Sequence, residues 1–267
     1  LNNEYNPLRD KTIQDHFSPG STFKAITAIA ALEEGLIDEN FTTGCSGVLP
    51  FGTRPFHCWK KTGHGNMNVV QALAQSCDIF FYKMAQKLGI DNIAKYSVML
   101  GLGRKTGINL AHEEPGLIPT EAWKKQRYGQ EWSPGETLSC AIGQSYVLTT
   151  PLQLANFFAT VANGGFIWRP YIVKYIESHD GRILKEFNSE KTAQVQISKA
   201  TFDIVKKGLW GVINSPGGTA KSQHLPGIDV VGKTGTSQVV RMADQKVITK
   251  CEAMPFDVRD NGLFVAY

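Results

Sequence analysis

The stretch Pro19-Gly20-Ser21-Thr22-Phe23-Lys24 opens an alanine-rich run and decides the fold of this chain. The pattern predicts a helix over 21–34 that ends at Gly35. Residues three apart on a helix share a face, so Ser21 and Lys24 are expected to lie about one turn apart. Backbone N–H groups at a helix start stabilise developing negative charge. Ser21 is therefore a candidate nucleophile, and Lys24, when neutral, its base. Taken alone, the tetrapeptide also fits a capping serine followed by a solvated lysine.

A second tetrapeptide, Lys233-Thr234-Gly235-Thr236, lies far downstream in a strand-like stretch. Gly235 would let a substrate backbone lie against the strand. The backbone N–H of Thr236 can form an oxyanion hole together with that of Ser21. The residues expected to bind a substrate carboxylate are Lys233, Thr234 and Thr236. The competing interpretation is an exposed edge strand that carries one positive charge.

Between these motifs, Ser76-Cys77-Asp78 precedes an apolar run. Ser76 can relay a proton between Lys24 and a leaving amine. An ionised Asp78 can only accept hydrogen bonds, and beside Lys24 it favours the protonated amine. A nearby Lys233 would have the opposite effect on Lys24. Asp78 is thus either part of the catalytic set or the partner of a lysine. Taken alone, the segment is also typical of a buried helix with one polar turn.

The composition narrows the class of protein. The chain has 267 residues, of which 42% are hydrophobic, which is enough for a packed core and argues against disorder. A net charge of +4 is too small to indicate nucleic-acid binding. We find neither a signal peptide nor an apolar run of the roughly 18 residues that a membrane span needs. The chain starts at Leu1 and closes on the strand-like Phe264-Val265-Ala266-Tyr267, which indicates a piece of a longer protein.

Helical patterns fill the middle of the chain and strand patterns gather late, which predicts an α+β fold. The remaining predicted helices cover 69–87, 91–99, 120–127, 150–163 and 199–213. The predicted strands cover 171–177 and 182–187, joined by a turn at His179-Asp180-Gly181, and then 228–231 and 236–240. Residues 36–66 show no clear period and are predicted to form a long loop that something must hold in place.

Four potential zinc ligands lie around this loop, namely Cys45, Cys58, His64 and Cys77. Three thiolates and one imidazole make a full tetrahedral set for structural zinc, with a looser spacing than in a zinc finger. The alternatives are a Cys45–Cys58 disulfide and unrelated free thiols. His57 competes with His64 as a ligand. The residues expected to be structural or to lie at the surface are Cys140, Cys251, His16, His112, His179 and His224.

Together, the three motifs resemble those of the penicillin-binding proteins, specifically the class B transpeptidase domain. The segment Trp59-Lys60-Lys61-Thr62-Gly63-His64-Gly65 and the aspartate at Asp78 are similar to the elongation-type subfamily, penicillin-binding protein 2. Further matches are Gly143-Gln144, Thr150-Pro151-Leu152-Gln153 and Gly217-Gly218-Thr219-Ala220. The resemblance covers nearly the whole chain.

The resemblance implies the fold shared by penicillin-binding proteins and serine β-lactamases. In this fold an antiparallel sheet is packed by helices beside a mostly helical lobe. We expect a single transpeptidase domain over 1–267, truncated at both ends, with a bound metal ion that would fix the loop 36–66.

The resemblance also implies a peptidoglycan D,D-transpeptidase that β-lactams inhibit. Ser21 would attack the D-Ala–D-Ala bond of a stem peptide and release D-alanine, and the amine of a neighbouring stem peptide would resolve the acyl-enzyme. The implied catalytic residues are Ser21, Lys24, Ser76, Asp78 and Lys233, and the implied substrate-binding residues are Thr234, Gly235 and Thr236. No cofactor is required for catalysis. The alternatives are a class D-like serine β-lactamase and a penicillin-sensing domain that acylates without turnover.

The family further implies a place in the bacterial cell envelope, on the periplasmic face of the inner membrane, with the anchor outside this chain. The expected partner is a membrane glycan polymerase of the elongation complex.

Overall fold

The computed structural model describes residues 8–237 and 259–267 and places helix α1 (Lys24–Glu33) at the centre of the core. A short 3₁₀ turn over Gly20–Phe23 leads directly into α1, so the helix predicted for 21–34 is confirmed, with a tighter first turn. Its residues are buried from Lys24 to Ala31, which is the pattern of a helix enclosed on all sides.

The other described helices are α2 (Val69–Ala74), α3 (Asp78–Met99), α4 (Glu121–Tyr128), α5 (Pro134–Ala141), α6 (Pro151–Ala162) and α7 (Lys199–Asn214). Helices α4, α6 and α7 each begin after a side-chain cap, because Thr120, Thr150 and Ser198 each accept a hydrogen bond from the backbone N–H three residues on. The predicted starts of α4, α6 and α7 are thus confirmed. Helix α5 was not predicted, since it is short and opens with Pro134-Gly135, which also suits a turn.

The predicted helix over 69–87 is wrong in its middle, because α2 ends at Ala74 and α3 begins at Asp78. Between them Ser76 has a φ of 54°, in the left-handed region that ends a helix. The predicted helix over 91–99 is confirmed as the second part of α3, which is separated from the first part by the non-helical Gly89, where φ is 72° and ψ is 165°. Hydrophobic periodicity does not show the break at Ser76, because this break depends on a single backbone conformation.

All described strands form two-stranded antiparallel pairs. The pairs are β1 (Thr43–Cys45) with β4 (Gly65–Met67), β2 (Val48–Phe51) with β3 (Arg54–His57), β5 (Phe166–Trp168) with β8 (Lys191–Gln194), β6 (Tyr175–Glu177) with β7 (Ile183–Glu186), and β9 (Gly232–Ser237) with β10 (Asn261–Ala266). The prediction of a loop without strands over 36–66 is therefore wrong. The strands in it are only three or four residues long and mostly exposed, so they show too little alternation to be recognised.

The later strands follow the sequence more closely. The hairpin of β6 and β7 is confirmed, although β6 is shorter than the predicted 171–177. Residues 228–231 do not form a strand. The predicted strand 236–240 is described only at 236 and 237, which belong to β9, and 238–240 lie outside the described residues. The strand expected near the end of the chain is β10. None of the helices within the described ranges is long and apolar enough to cross a membrane.

Candidate active site

Ser21 lies half-buried in the 3₁₀ turn, where three segments of backbone meet. Gly20 has a φ of 54°, and a Cβ there would clash with the carbonyl oxygen of Thr236 on β9. The N–H of Gly20 donates to the carbonyl of Gly143 at 2.9 Å. Gly143 has a φ of 71°, and a Cβ on it would clash with the carbonyl of Gly20. Glycine is thus required at both positions. The close approach of Gly20 to Thr236 holds β9 next to the candidate nucleophile.

The Lys24 side chain is fully buried at the start of α1. Its Nζ donates to the backbone carbonyl of Ser76 at 2.9 Å, to Ser76 Oγ at 3.1 Å and to Asp78 Oδ1 at 2.6 Å. An ammonium group has three donors, and these contacts use all three. Asp78 is therefore the partner of a lysine, which is one of the two roles that the sequence left open. A buried charge is tolerated only when it is paired in this way.

The turn that carries Ser76 is held by a residue whose contacts the sequence did not predict. The backbone N–H of Trp59 donates to Asp78 Oδ2 at 2.9 Å. Its indole Nε1 donates to the carbonyls of Gln75 and Ser76, at 3.1 and 3.0 Å. These bonds fix Ser76 in its left-handed conformation and present its hydroxyl to Lys24.

Lys233 on β9 is also fully buried, and its Nζ donates to the carbonyl of Thr234 at 3.1 Å. Burial, reinforced by the nearby charge of Lys24, holds the pKa of Lys233 well below its ordinary value, and the charge of Asp78 opposes this shift. The two lysines thus differ in environment, since Lys24 has a carboxylate partner within hydrogen-bond distance and Lys233 has a carbonyl.

Thr234, Gly235 and Thr236, which follow Lys233, differ in exposure and in their contacts. Thr236 is exposed, and its carbonyl accepts a hydrogen bond from Gln144 Nε2 at 3.0 Å. The hydroxyl of Thr234 lies 2.8 Å from that of Thr219. A Cβ on Gly235 would lie 2.9 Å from the carbonyl oxygen of Pro19. The close approach that Gly235 permits here is therefore to the chain's own backbone.

The whole chain, residues 1–267, matches the family described as the penicillin binding protein transpeptidase domain. The chain belongs to this family.

Named relatives agree with this assignment. The peptidoglycan D,D-transpeptidase MrdA of Haemophilus influenzae is 33% identical over 276 residues, which cover 100% of this chain and 41% of that protein. The penicillin-binding protein PBP2 of Helicobacter pylori, solved in complex with MreC, matches with a TM-score of 0.84 and 30% identity over 100% of this chain and 46% of that one. A chain in a peptidoglycan synthase complex that coordinates polymerization and crosslinking matches with a TM-score of 0.76 and 36% identity over 88% of this chain and 39% of that one.

These relatives confirm the predicted resemblance to penicillin-binding protein 2 and the predicted α+β transpeptidase fold. The chain spans about two fifths of the length of the curated relative.

The penicillin-binding domain also carries the predicted cysteine and histidine cluster. Its members are Cys45, Cys58, His64 and Cys77, whose ligand atoms all lie within 4.8 Å of one another. The sulfurs of Cys45 and Cys58 lie 3.6 and 3.5 Å from His64 Nδ1. His64 Nε2 is buried, with no hydrogen-bond partner in the described part of the chain. The pairing of β1 with β4 brings Cys45 opposite Gly65, next to His64.

The other cysteines and histidines lie apart from this cluster. His57 is exposed on β3 and does not join it. Cys45 and Cys58 are free thiols, which speaks against the disulfide alternative. Cys140 is a buried free thiol, and Cys251 lies outside the described residues. Four further histidines are also exposed, namely His16, His112, His179 and His224.

The thiols of the cluster influence each other. A hydrogen bond from the Cys77 thiol lowers the pKa of Cys58 to about 5. The same bond, together with burial, raises the pKa of Cys77. Cys58 directly precedes Trp59, whose hydrogen bonds hold the Ser76 turn, so the cluster adjoins the candidate active site.

Proposed function

We propose that this chain is the catalytic domain of a peptidoglycan D,D-transpeptidase. The observation that carries the proposal is the buried Lys24, three positions after Ser21 in the chain, whose amine contacts Ser76 and Asp78. A lysine is rarely enclosed in this way without a function. The name of the Haemophilus relative supports the same activity.

In the proposed reaction, Ser21 Oγ attacks the carbonyl carbon between two terminal D-alanines, and its proton passes to Lys24 Nζ. A C–O bond forms and the peptide C–N bond breaks. The leaving amine receives a proton through the Ser76 hydroxyl and departs as D-alanine. The amine of a second stem peptide then attacks the ester, returns a proton along the same route and frees Ser21.

Lys24 must lose a proton before it can accept one from Ser21. The acceptor within reach is Asp78 Oδ1, at 2.6 Å from Nζ. Proton transfer within this buried pair leaves both groups neutral, so no net charge has to leave the site. Asp78 would thus position Lys24 in the resting enzyme and hold its proton during acylation.

Binding of the donor carboxylate would involve β9. A carboxylate is a hydrogen-bond acceptor only, and the hydroxyls of Thr234 and Thr236 are donors along this strand. An anion next to Lys233 would raise the pKa of its amine and favour the charged form. The backbone N–H groups of Ser21 and Thr236 would stabilise the oxyanion of the tetrahedral intermediate. The glycine contact at Gly20 holds these two N–H groups on neighbouring segments.

A donor peptide ending in D-Ala-D-Ala, offered with and without an acceptor amine, tests the proposed function. We expect release of D-alanine and a transfer product whose yield rises with the amine. Acylation without transfer would instead favour a penicillin-sensing domain, and rapid hydrolysis of a β-lactam would favour a β-lactamase. Both results would contradict the proposal.

We further propose that Cys45, Cys58, His64 and Cys77 bind a structural zinc ion. Three sulfurs and one imidazole are ligands that structural zinc prefers. Their ligand atoms lie within 4.8 Å of one another, which is close enough for all four to bind one ion. Bound zinc would act as a cross-link between the short strands around the cluster. Catalysis itself would need no cofactor.

We infer that residues 1–267 form one transpeptidase domain within a longer protein, because a single family spans the whole chain and the Haemophilus relative is more than twice as long. Such a protein would act on peptidoglycan in the bacterial cell envelope, at the periplasmic face of the inner membrane. The expected partner is a membrane glycan polymerase. The synthase complex among the structural relatives supports this partner.

A further inference from the structure

Thr219 lies where three elements of the active-site region meet. Its backbone N–H donates to the carbonyl of Ala74 at 3.2 Å, at the end of α2 and two residues before Ser76. Its hydroxyl lies 2.8 Å from the Thr234 hydroxyl on β9. The next residue, Ala220, donates to the carbonyl of Val212 on α7 at 2.9 Å. Thr219 therefore connects the turn that carries Ser76 with the strand that carries Thr234.

The glycines before Thr219 explain how the loop reaches this position. A Cβ on Gly218 would clash with the carbonyl oxygens of Gly211 and Val212 on α7. A Cβ on Gly217 would lie 3.2 Å from the side chain of Gln75. The loop is thus pressed against α7 on one side and against the end of α2 on the other, and this fixes the backbone of Thr219.

We propose that Thr219 is a positioning residue that orients the Thr234 hydroxyl toward the carboxylate of the donor substrate. The inference rests on the proposed transpeptidase function. Each hydroxyl has one proton, and a bond between the two uses one of them. When Thr219 donates to Thr234, the proton of Thr234 is left for an anionic ligand. A hydroxyl that accepts one hydrogen bond is also a stronger donor in the next.

Without the Thr219 hydroxyl, Thr234 loses this orientation. Its hydroxyl would rotate toward other acceptors, and a carboxylate would have to reorient it on binding. This reorientation of the Thr234 hydroxyl should slow acylation by ligands that carry a carboxylate. An uncharged ester at the same position draws less on this donor, so it should lose less when Thr219 is changed.

The test compares acylation by benzylpenicillin and by its methyl ester in wild type, Thr219→Val and Thr219→Ser. Valine keeps the shape of threonine without the hydroxyl, and serine keeps the hydroxyl. We expect Thr219→Val to lower the second-order acylation rate constant for benzylpenicillin about five- to tenfold, the effect of one hydrogen bond. The rate with the ester should change less than about twofold, and Thr219→Ser should restore most of the rate with the free acid.

A second comparison tests whether Thr219 acts through Thr234. If it does, Thr219→Val should add little to the defect of Thr234→Val, because the two changes remove the same interaction. Equal loss with acid and ester would show that Thr219 supports the fold only, and would overturn the inference. Unchanged rates in Thr219→Val would overturn it as well. A wild-type protein that neither compound acylates would contradict the proposed function itself, and the inference would fall with it.

Discussion

Both the fold and the proposed chemistry require a residue without a Cβ at Gly20. The residue has a φ of 54°, and a Cβ would clash with the carbonyl of Thr236. Gly52 makes a matched control, because its φ of 56° is nearly the same and nothing lies within 4 Å of a Cβ there. The two glycines separate backbone strain from the contact with β9.

We expect Gly20→Ala to be more destabilising than Gly52→Ala. The strain of positive φ, about 1 kcal/mol, is common to both variants. Only Gly20→Ala also pushes β9 away, which should lower the free energy of unfolding by about 1–3 kcal/mol more. The displaced strand should also slow β-lactam acylation at least tenfold. Urea unfolding and acylation rates measure both effects. Equal stability and equal rates in the two variants would contradict the tight contact.

The lowered pKa of Lys233 predicts that the stability of the protein depends on pH. Because its pKa is lowered in the folded state, the unfolded chain binds more protons over the range between that lowered value and the ordinary pKa of lysine. The contribution of Lys233 to stability therefore improves as pH rises through this range, by up to about 1.4 kcal/mol per pH unit.

Lys233→Met should accordingly be more stable than wild type at pH 7, and its advantage should shrink as pH is raised toward 10. The variant should also lose acylation by benzylpenicillin. The control is Lys11→Met at an exposed site, where we expect the stability difference from wild type to stay constant with pH. Urea unfolding at several pH values measures the difference, and an advantage that stays constant with pH would refute the account of Lys233.

At the scale of elements, the segment from β1 to β4 needs a stabiliser. Its strands form two-stranded pairs of three or four residues, and such pairs are marginal in water. The cluster of Cys45, Cys58, His64 and Cys77 lies among them and joins them to the start of α3. A bound ion would explain why so short a set of strands keeps a defined structure.

We expect one zinc ion per chain in the undenatured protein and a lower melting temperature after treatment with a chelator. His64→Ala should lose the ion, whereas His57→Ala should keep it, because His57 is exposed outside the cluster. Elemental analysis and thermal unfolding provide the measurements. Protein without zinc, or equal zinc in the two variants, would remove the proposal.

The elements that could be predicted are those with a local signal. Helices α4, α6 and α7 begin close to their predicted starts, each after a capping side chain, and the β6–β7 hairpin has a turn at Gly181, where φ is 80°. The break between α2 and α3 has no such signal. It arises from Ser76, whose left-handed conformation is held by hydrogen bonds from Trp59 and Lys24. Sequence periodicity carries no information on these distant partners.

At the scale of the whole molecule, the candidate site is assembled from segments far apart in the chain. Lys24 meets Asp78 across 54 positions, and Gln144 meets Thr236 across 92. Residue types with a chemical role, such as Ser21 and Lys24, could be predicted because the motifs are local. The contacts by which residues hold others, such as that of Gln144 with Thr236, could not, since a polar side chain gives no sign of its partner until the fold is known.

The central claim is that Ser21 is an acylating serine in a transpeptidase. The most direct test is the intact mass of the protein after brief incubation with benzylpenicillin, followed over time, in wild type and in Ser21→Ala. We expect a single adduct on wild type that persists for the length of the experiment, and no adduct on Ser21→Ala with an unchanged melting temperature. A transient adduct with hydrolysed drug, an adduct on Ser21→Ala, or no adduct on wild type would contradict this account.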